Sequence, residues 1–161
     1  MDARQARRGA AQQKILAFAS LIVLVAGFSL ASPNFFQMTN IMAILQAASV
    51  NGVLAVAVTL IIITGGIDLS VGSILATSAM VAVIVSLIPE VGWLGVPAAM
   101  GVGLACGLAN GILISALKLP PFIVTLGSLT AVRGIARLLG NDTTVFNPDL
   151  PFDVIGNGSL F

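Results

Sequence analysis

The chain has 161 residues, 58% apolar and 8% charged, with a net charge of +1 and a mean hydropathy of +1.09. A soluble domain carries about 25% charged residues to cover its surface, so this chain belongs in a lipid bilayer, and its near-neutral charge gives no basis for a nucleic-acid partner. With no histidine and one cysteine, Cys106, it has no intrachain disulfide and no multi-cysteine or histidine metal site.

Crossing a hydrocarbon core takes about 20 predominantly apolar residues, and five stretches qualify in chain order. They cover roughly residues 15–31, 41–64, 69–88, 94–117 and 122–139. The intervening pieces, SPNFFQMTN, GGID, PEVGW and KLPP, carry the Pro, Gly and Asn that punctuate helices. The predicted fold class is therefore all-α, a polytopic transmembrane helix bundle of about five spans with a broken-helix Gly-Gly-Ile-Asp segment. Three parts are expected: a basic cytoplasmic N-terminus (1–14), the helical bundle (15–139) and an extracytoplasmic polar tail or loop (140–161). A signal peptide is the rival reading of the start, with Arg4, Arg7, Arg8 and Lys14 as its basic region and Ser29-Leu30-Ala31 as a cleavage site. The apolar stretch is longer than a signal core and leads into further spans, so an uncleaved anchor fits better.

The clustered cations hold the N-terminus in the cytoplasm. Alternation then puts SPNFFQMTN outside, GGID inside, Glu90 outside, Lys118 inside and the tail with Asp142, Asp149 and Asp153 outside. Arg133 and Arg137 fit this order poorly, because they fall toward the outer end of the fifth span. Four apart on one helical face, they are open to three readings: headgroups, acidic groups in sequence beyond this stretch, or a partner protein. Lys118 reads as a snorkelling interfacial anchor. An odd number of spans ending in a polar segment leads us to expect further membrane segments, this chain being an N-terminal half.

The stretch ITGGIDLSVGS, residues 63–73, puts a carboxylate and hydroxyls between two greasy spans. Gly65 and Gly66 permit backbone torsions that end a helix, and Asp68 or Ser70 is placed to cap the next one. That is the plain reading. The sharper one is a polar break lining a path, since irregular backbone at membrane depth survives only when buried in protein or facing water. The two readings are compatible. Further in-span polar residues are Gln46, Ser49, Asn51, Thr59, Thr77, Ser78, Asn110, Ser115, Thr125 and Ser128. Interhelical hydrogen bonding is the simpler account of each. Asn51 and Asn110 cost most to bury, so they join Thr64, Asp68, Ser70 and Ser73 as candidates for a substrate path. Gly103, Gly107 and Gly111 form GxxxGxxxG on one face, a pattern for close helix packing. There is no GxxxxGK[ST] phosphate loop, since neither Lys14 nor Lys118 follows a glycine. No catalytic residue, metal ligand or cofactor is predicted.

SPNFFQMTNIMAILQAASVNGVLAVAVTLIIITGGIDLSVGSILA and GLANGILISALKLPPFIVTLGSLTAVRGIARLL closely resemble the permease subunit of bacterial sugar ABC importers of the ribose type. The resemblance covers nearly all of residues 15–161. It implies a membrane-spanning, non-enzymatic component in the bacterial inner membrane. Its implied partners are a second permease chain, a cytoplasmic ATP-binding subunit that supplies the energy, and a periplasmic sugar-binding protein. The family's permeases are about twice this length, and the cytoplasmic coupling loop and second half of the bundle fall beyond this stretch. Other readings are a permease for autoinducer, nucleoside or amino acid uptake, a fragment of a secondary transporter, and a non-transporting scaffold or degenerate fragment. A secondary transporter calls for paired intramembrane charges, and a scaffold leaves the polar break unexplained.

Overall fold

The computed structural model describes residues 3–157, so Met1, Asp2 and residues 158–161 of the two predicted terminal segments lie outside the described residues. The chain divides into two units, residues 1–53 and 54–161. In the first, α1 (Ala3–Ala31) runs without interruption through the basic segment and the first apolar stretch. A short turn leads to α2 (Met38–Ile63), which crosses the boundary between the units. Local bonds hold the turn: Gln37 Nε2 donates to Asn34 Oδ1 at 2.7 Å, and Asn40 Nδ2 donates to the Phe35 carbonyl at 2.7 Å. Phe35 stacks on Phe28 with centroids 6.1 Å apart and meets Phe36 edge-on at 5.1 Å. Ser49 and Thr59 bond back to Leu45 and Ala55 of their own helix, so these hydroxyls need no partner helix.

The second unit carries the end of α2, then α3 (Val71–Ser86), a 3-10 turn (Gly92–Leu94), α4 (Gly95–Ser115), α5 (Pro121–Leu139) and a short α6 (Asp153–Asn157). No strand occurs among the described residues, as the all-α reading requires. Helices lie where the five apolar stretches were read. Four segments are long and apolar enough to cross a bilayer: Gln12–Ala31, Met38–Ile63, Gly92–Ser115 and Pro121–Leu139. The fifth, α3, has 16 residues, about 24 Å of helix, which falls short of a core about 30 Å thick.

α3 packs against both α4 and α5, and the seam is more polar than apolar. Its buried apolar residues are Ala82, Val124, Val132 and Ala136, against buried Ser70, Ser73, Thr77, Ser86, Asn110 and Thr125. This inversion follows from the solvent. Lipid tails are as apolar as leucine, so small side chains and interhelical hydrogen bonds bring membrane helices together. Thr77 illustrates it, its hydroxyl lying 2.8 Å from the Ser73 carbonyl and 3.2 Å from the Val132 carbonyl of α5. The large side chains, such as Leu104, Leu108 and Leu138, point outward.

Residues after α5 fold back over the ends of α3 and α4. Asn141 takes the left-handed conformation (φ 49°) that closes a helix in a Schellman turn, with the Asp142 N–H on the Arg137 carbonyl at 2.9 Å. Arg137 Nε also bonds Asp142 Oδ1 at 2.6 Å, an exposed pair five residues apart in this chain, which none of the three readings of these arginines named. Asn147 Nδ2 donates to the Ser86 carbonyl at 3.1 Å and lies 2.9 Å from the Ser86 hydroxyl. The ring of Phe152 covers Gly95, where a Cβ would fall 2.6 Å from Phe152 Cε1 and 2.7 Å from the Ala82 carbonyl oxygen.

Candidate functional site

The break between α2 and α3 begins with a second Schellman turn. Gly65 stands at φ +80°, its N–H on the Ile62 carbonyl at 2.9 Å, and the Gly66 N–H reaches the Ile61 carbonyl at 3.0 Å. Gly65 supplies the left-handed torsion. Gly66 supplies a close approach, since a Cβ there would lie 3.1 Å from Ile61 Cγ2. The chain then runs without regular structure to Ser70, the residue that opens α3.

Neither residue offered from sequence as a side-chain cap of α3 fills that role. Ser70 sits at the cap position with no side-chain bond to the helix, because its hydroxyl is engaged elsewhere. Asp68 Oδ1 accepts the Ser70 N–H at 2.7 Å and the Ser70 hydroxyl at 2.6 Å. Asn110 Nδ2 of α4 donates to Ser70 Oγ at 3.0 Å, and the Ser128 hydroxyl of α5 donates to Asn110 Oδ1. The result is a four-residue chain, Ser128–Asn110–Ser70–Asp68, that joins α5, α4 and the break. Ser70 is 0% exposed and Asn110 5%. Alongside it, the Thr125 hydroxyl lies 3.1 Å from the Ile67 carbonyl and 2.9 Å from that of Pro121, pinning the break to the first turns of α5.

The chain borders a cavity of about 490 Å³. Thr64, Gly65, Gly66, Ile67 and Asp68 of the break form one wall, Gly107, Asn110, Gly111 and Ile114 of α4 another, and Pro121 and Thr125 the mouth of α5. Asp68 is the single ionisable residue among those lining it, and no arginine or lysine accompanies it. Of the six path candidates, Thr64, Asp68 and Asn110 line the cavity. Ser70 lies directly behind them, and Ser73, bonded to the Ser70 carbonyl at 2.8 Å, is one turn further in. Asn51 is exposed on α2 within the other unit.

Two glycines of the ladder, Gly107 and Gly111, face the cavity in this chain. Within this chain a Cβ at Gly107 or Gly111 would meet no atom of another segment within 4 Å, and a Cβ at Gly103 would lie 3.8 Å from Ser78 Oγ. Thr125 and Ser128 are bonded to the break and to Asn110, although the sequence placed them only among the generic in-span polar residues. The available signal was Pro120-Pro121: proline at the first helical position fixes where α5 starts, and Thr125 and Ser128 then fall one and two turns inside the bundle.

Residues 40–156 match the family described as the permease component of branched-chain amino acid transport systems. The chain is 40% identical over 126 residues to the ribose import permease protein RbsC of Escherichia coli K12, covering 78% of this chain and 39% of that protein. It is 39% identical over 150 residues to RbsC of Bacillus subtilis 168, covering 91% and 46%. To the galactofuranose transporter permease protein YtfT of Escherichia coli K12 it is 39% identical over 156 residues, covering 88% and 44%. The chain spans less than half the length of these relatives. No solved structure matches it.

Proposed function

We propose, from the premise that the chain belongs to this family of transport permease components, that it forms part of the translocation path of an ATP-driven importer for a neutral monosaccharide. It is a multi-pass membrane component and not an enzyme in its own right. In this reading it resides in the bacterial inner membrane and pairs with a second permease chain. A cytoplasmic ATP-binding subunit drives it, and an extracytoplasmic binding protein delivers the sugar.

The observation that carries the choice of cargo is the chemistry of the cavity wall. The family description names amino acids, whereas the relatives above are named for sugars. A free amino acid brings an ammonium that Asp68 can pair with, but also a carboxylate for which this wall offers no cation, its one ionisable group being the carboxylate of Asp68. Like charges in a poorly solvated site repel. A sugar brings hydroxyls, which donate to a carboxylate oxygen and accept from an amide. Asp68 and Asn110 offer that pair of roles to a neutral polyol.

The test uses proteoliposomes holding the complete permease and its ATP-binding subunit, with ATP enclosed and the cognate binding protein outside. Labelled ribose and labelled leucine are supplied in turn. ATP-dependent accumulation of the sugar without the amino acid supports the reading, and accumulation of leucine alone overturns it.

A further inference from the structure

We propose that Ser70 and Ser128, neither of which lines the cavity, are positioning residues that assign the donor and acceptor roles on its wall. The proposal rests on the reading of that cavity as a cargo path. Its basis is that the four-residue chain has only one permitted direction. A carboxylate oxygen accepts and does not donate. Asp68 Oδ1 already takes both the N–H and the hydroxyl hydrogen of Ser70, at 2.7 and 2.6 Å. The single hydroxyl hydrogen of Ser70 is thereby committed, so Ser70 Oγ can only accept from Asn110, 3.0 Å away. The Asn110 amide must therefore turn its nitrogen toward Ser70 and its oxygen toward Ser128, whose hydroxyl donates to it. Burial enforces the rule, because Ser70 at 0% and Asn110 at 5% exposure have no solvent to exchange partners with.

The chain leaves two groups unspent. Asp68 Oδ2 and the second amide hydrogen of Asn110 have no partner among the described residues, and both side chains border the cavity. One is a fixed acceptor and the other a fixed donor. A cargo hydroxyl that donates to the first and accepts from the second meets a pre-arranged pair. Without Ser128 the Asn110 oxygen loses its donor, and the bond to Ser70 Oγ is left as the one restraint on the amide's orientation. The restraint is weakened, and an amide that rotates sets its oxygen against Ser70 Oγ, whose one hydrogen is committed to Asp68.

The test is a set of variants in the complete permease complex, scored as uptake per inserted permease and, separately, as membrane abundance. Ser128→Ala is expected to keep near-normal abundance and to lower uptake per permease by roughly fivefold, the factor one net neutral hydrogen bond represents. Ser128→Thr, which keeps the hydroxyl, is expected to restore it. Asn110→Asp sets two carboxylates against the single Ser70 hydrogen, so abundance should fall. The double variant Asp68→Asn with Asn110→Asp relieves that clash: the two bonds on Ser70 Oγ reverse and Ser128 still donates to residue 110, while the Ser70 N–H loses its place on the atom it shared with the hydroxyl. It is expected to raise abundance above that of Asn110→Asp and to leave uptake lost, because the wall's donor and acceptor have changed places. Wild-type uptake by Ser128→Ala or by the double variant overturns the proposal. So does a double variant whose abundance stays at the Asn110→Asp level, since the chain would then not be what joins these segments. Uptake is scored with ribose and with leucine. A wild type that carries only leucine refutes the sugar reading, and the variants still decide the role of Ser70 and Ser128 with that cargo.

Discussion

Asn110 Nδ2 lies 3.0 Å from Ser70 Oγ, across a sequence separation of 40 residues, and this bond ties α4 to the first residue of α3. Asn110 stands about one and a half turns before the end of α4, and its other partner, Ser128, lies about 10 Å into α5. The helical start of α3 is therefore recessed between its neighbours. This accounts for a 16-residue helix in a chain whose other long helices have 19 or more. Residues 64–70 supply the remaining reach as irregular backbone, whose polar groups are met by Asp68 and Thr125. Interhelical hydrogen bonds in membrane proteins contribute about 0.6 kcal/mol on average. Stability alone is thus a modest return for placing a carboxylate and an asparagine here.

Gly107→Leu separates a packing face from a cavity wall. No atom lies within 4 Å of a Cβ at Gly107, and leucine is the better helix former by up to about 1 kcal/mol. The expected outcome is normal membrane abundance with uptake abolished, because the new side chain projects into the cavity. Loss of folded permease, measured by size-exclusion chromatography in detergent, would show that the ladder packs against another helix in the complete permease.

Gly95→Ala probes the fold-back of the tail. The added methyl would meet the Phe152 ring and the Ala82 carbonyl at 2.6 and 2.7 Å, and overpacking of this kind costs about 1–3 kcal/mol. We expect a lower melting temperature and faster proteolysis within residues 143–152. Unchanged values for both would mean that Phe152 does not rest on Gly95.

Ser78→Ala should be neutral or stabilising. The Ser78 hydroxyl oxygen is buried and has no hydrogen-bond partner among the described residues, and an unmade buried bond costs about 1–3 kcal/mol. A melting temperature lowered by several degrees would reveal a partner for this hydroxyl.

Much of this arrangement was legible in the sequence because membrane helices announce themselves by length and hydropathy. The breaks fall at Gly65-Gly66 and at Pro120-Pro121, where torsional preference is decisive. The polar stretch at residues 64–70 was visible for the same reason. What Ser70 does with its hydroxyl was not, since a serine before a helix is ordinarily a cap, and only the approach of Asn110 redirects it. The glycine ladder is legible only in part. Spacing of four identifies a face but not what the face meets, and in this chain Gly107 and Gly111 meet open space. Arg137 was ambiguous because its partner Asp142 comes into reach only through the left-handed turn at Asn141.

The orientation in the membrane is open to a direct check. Arg4, Arg7, Arg8 and Lys14 precede the first apolar run, and Asp142, Asp149 and Asp153 follow the last. Asp149→Cys, in a background with Cys106→Ala, should react with a membrane-impermeant maleimide in right-side-out vesicles. Asp149 is preferable to Asn147, whose amide holds the end of α3. Labelling only after the membrane is opened would reverse the orientation proposed here.

The central claim is that the carboxylate of Asp68 serves the cavity and is not simply part of a turn, and Asp68→Asn tests it most directly. Asparagine can still accept the Ser70 N–H, so the turn should survive and membrane abundance should stay near that of the wild type. The cavity, however, loses its one acceptor-only group. Measured as ATP-dependent sugar uptake per inserted permease in proteoliposomes, the account predicts a fall of at least roughly tenfold, the factor of about one charge-assisted hydrogen bond. Wild-type uptake at wild-type abundance would contradict it and leave Asp68 as a local turn residue.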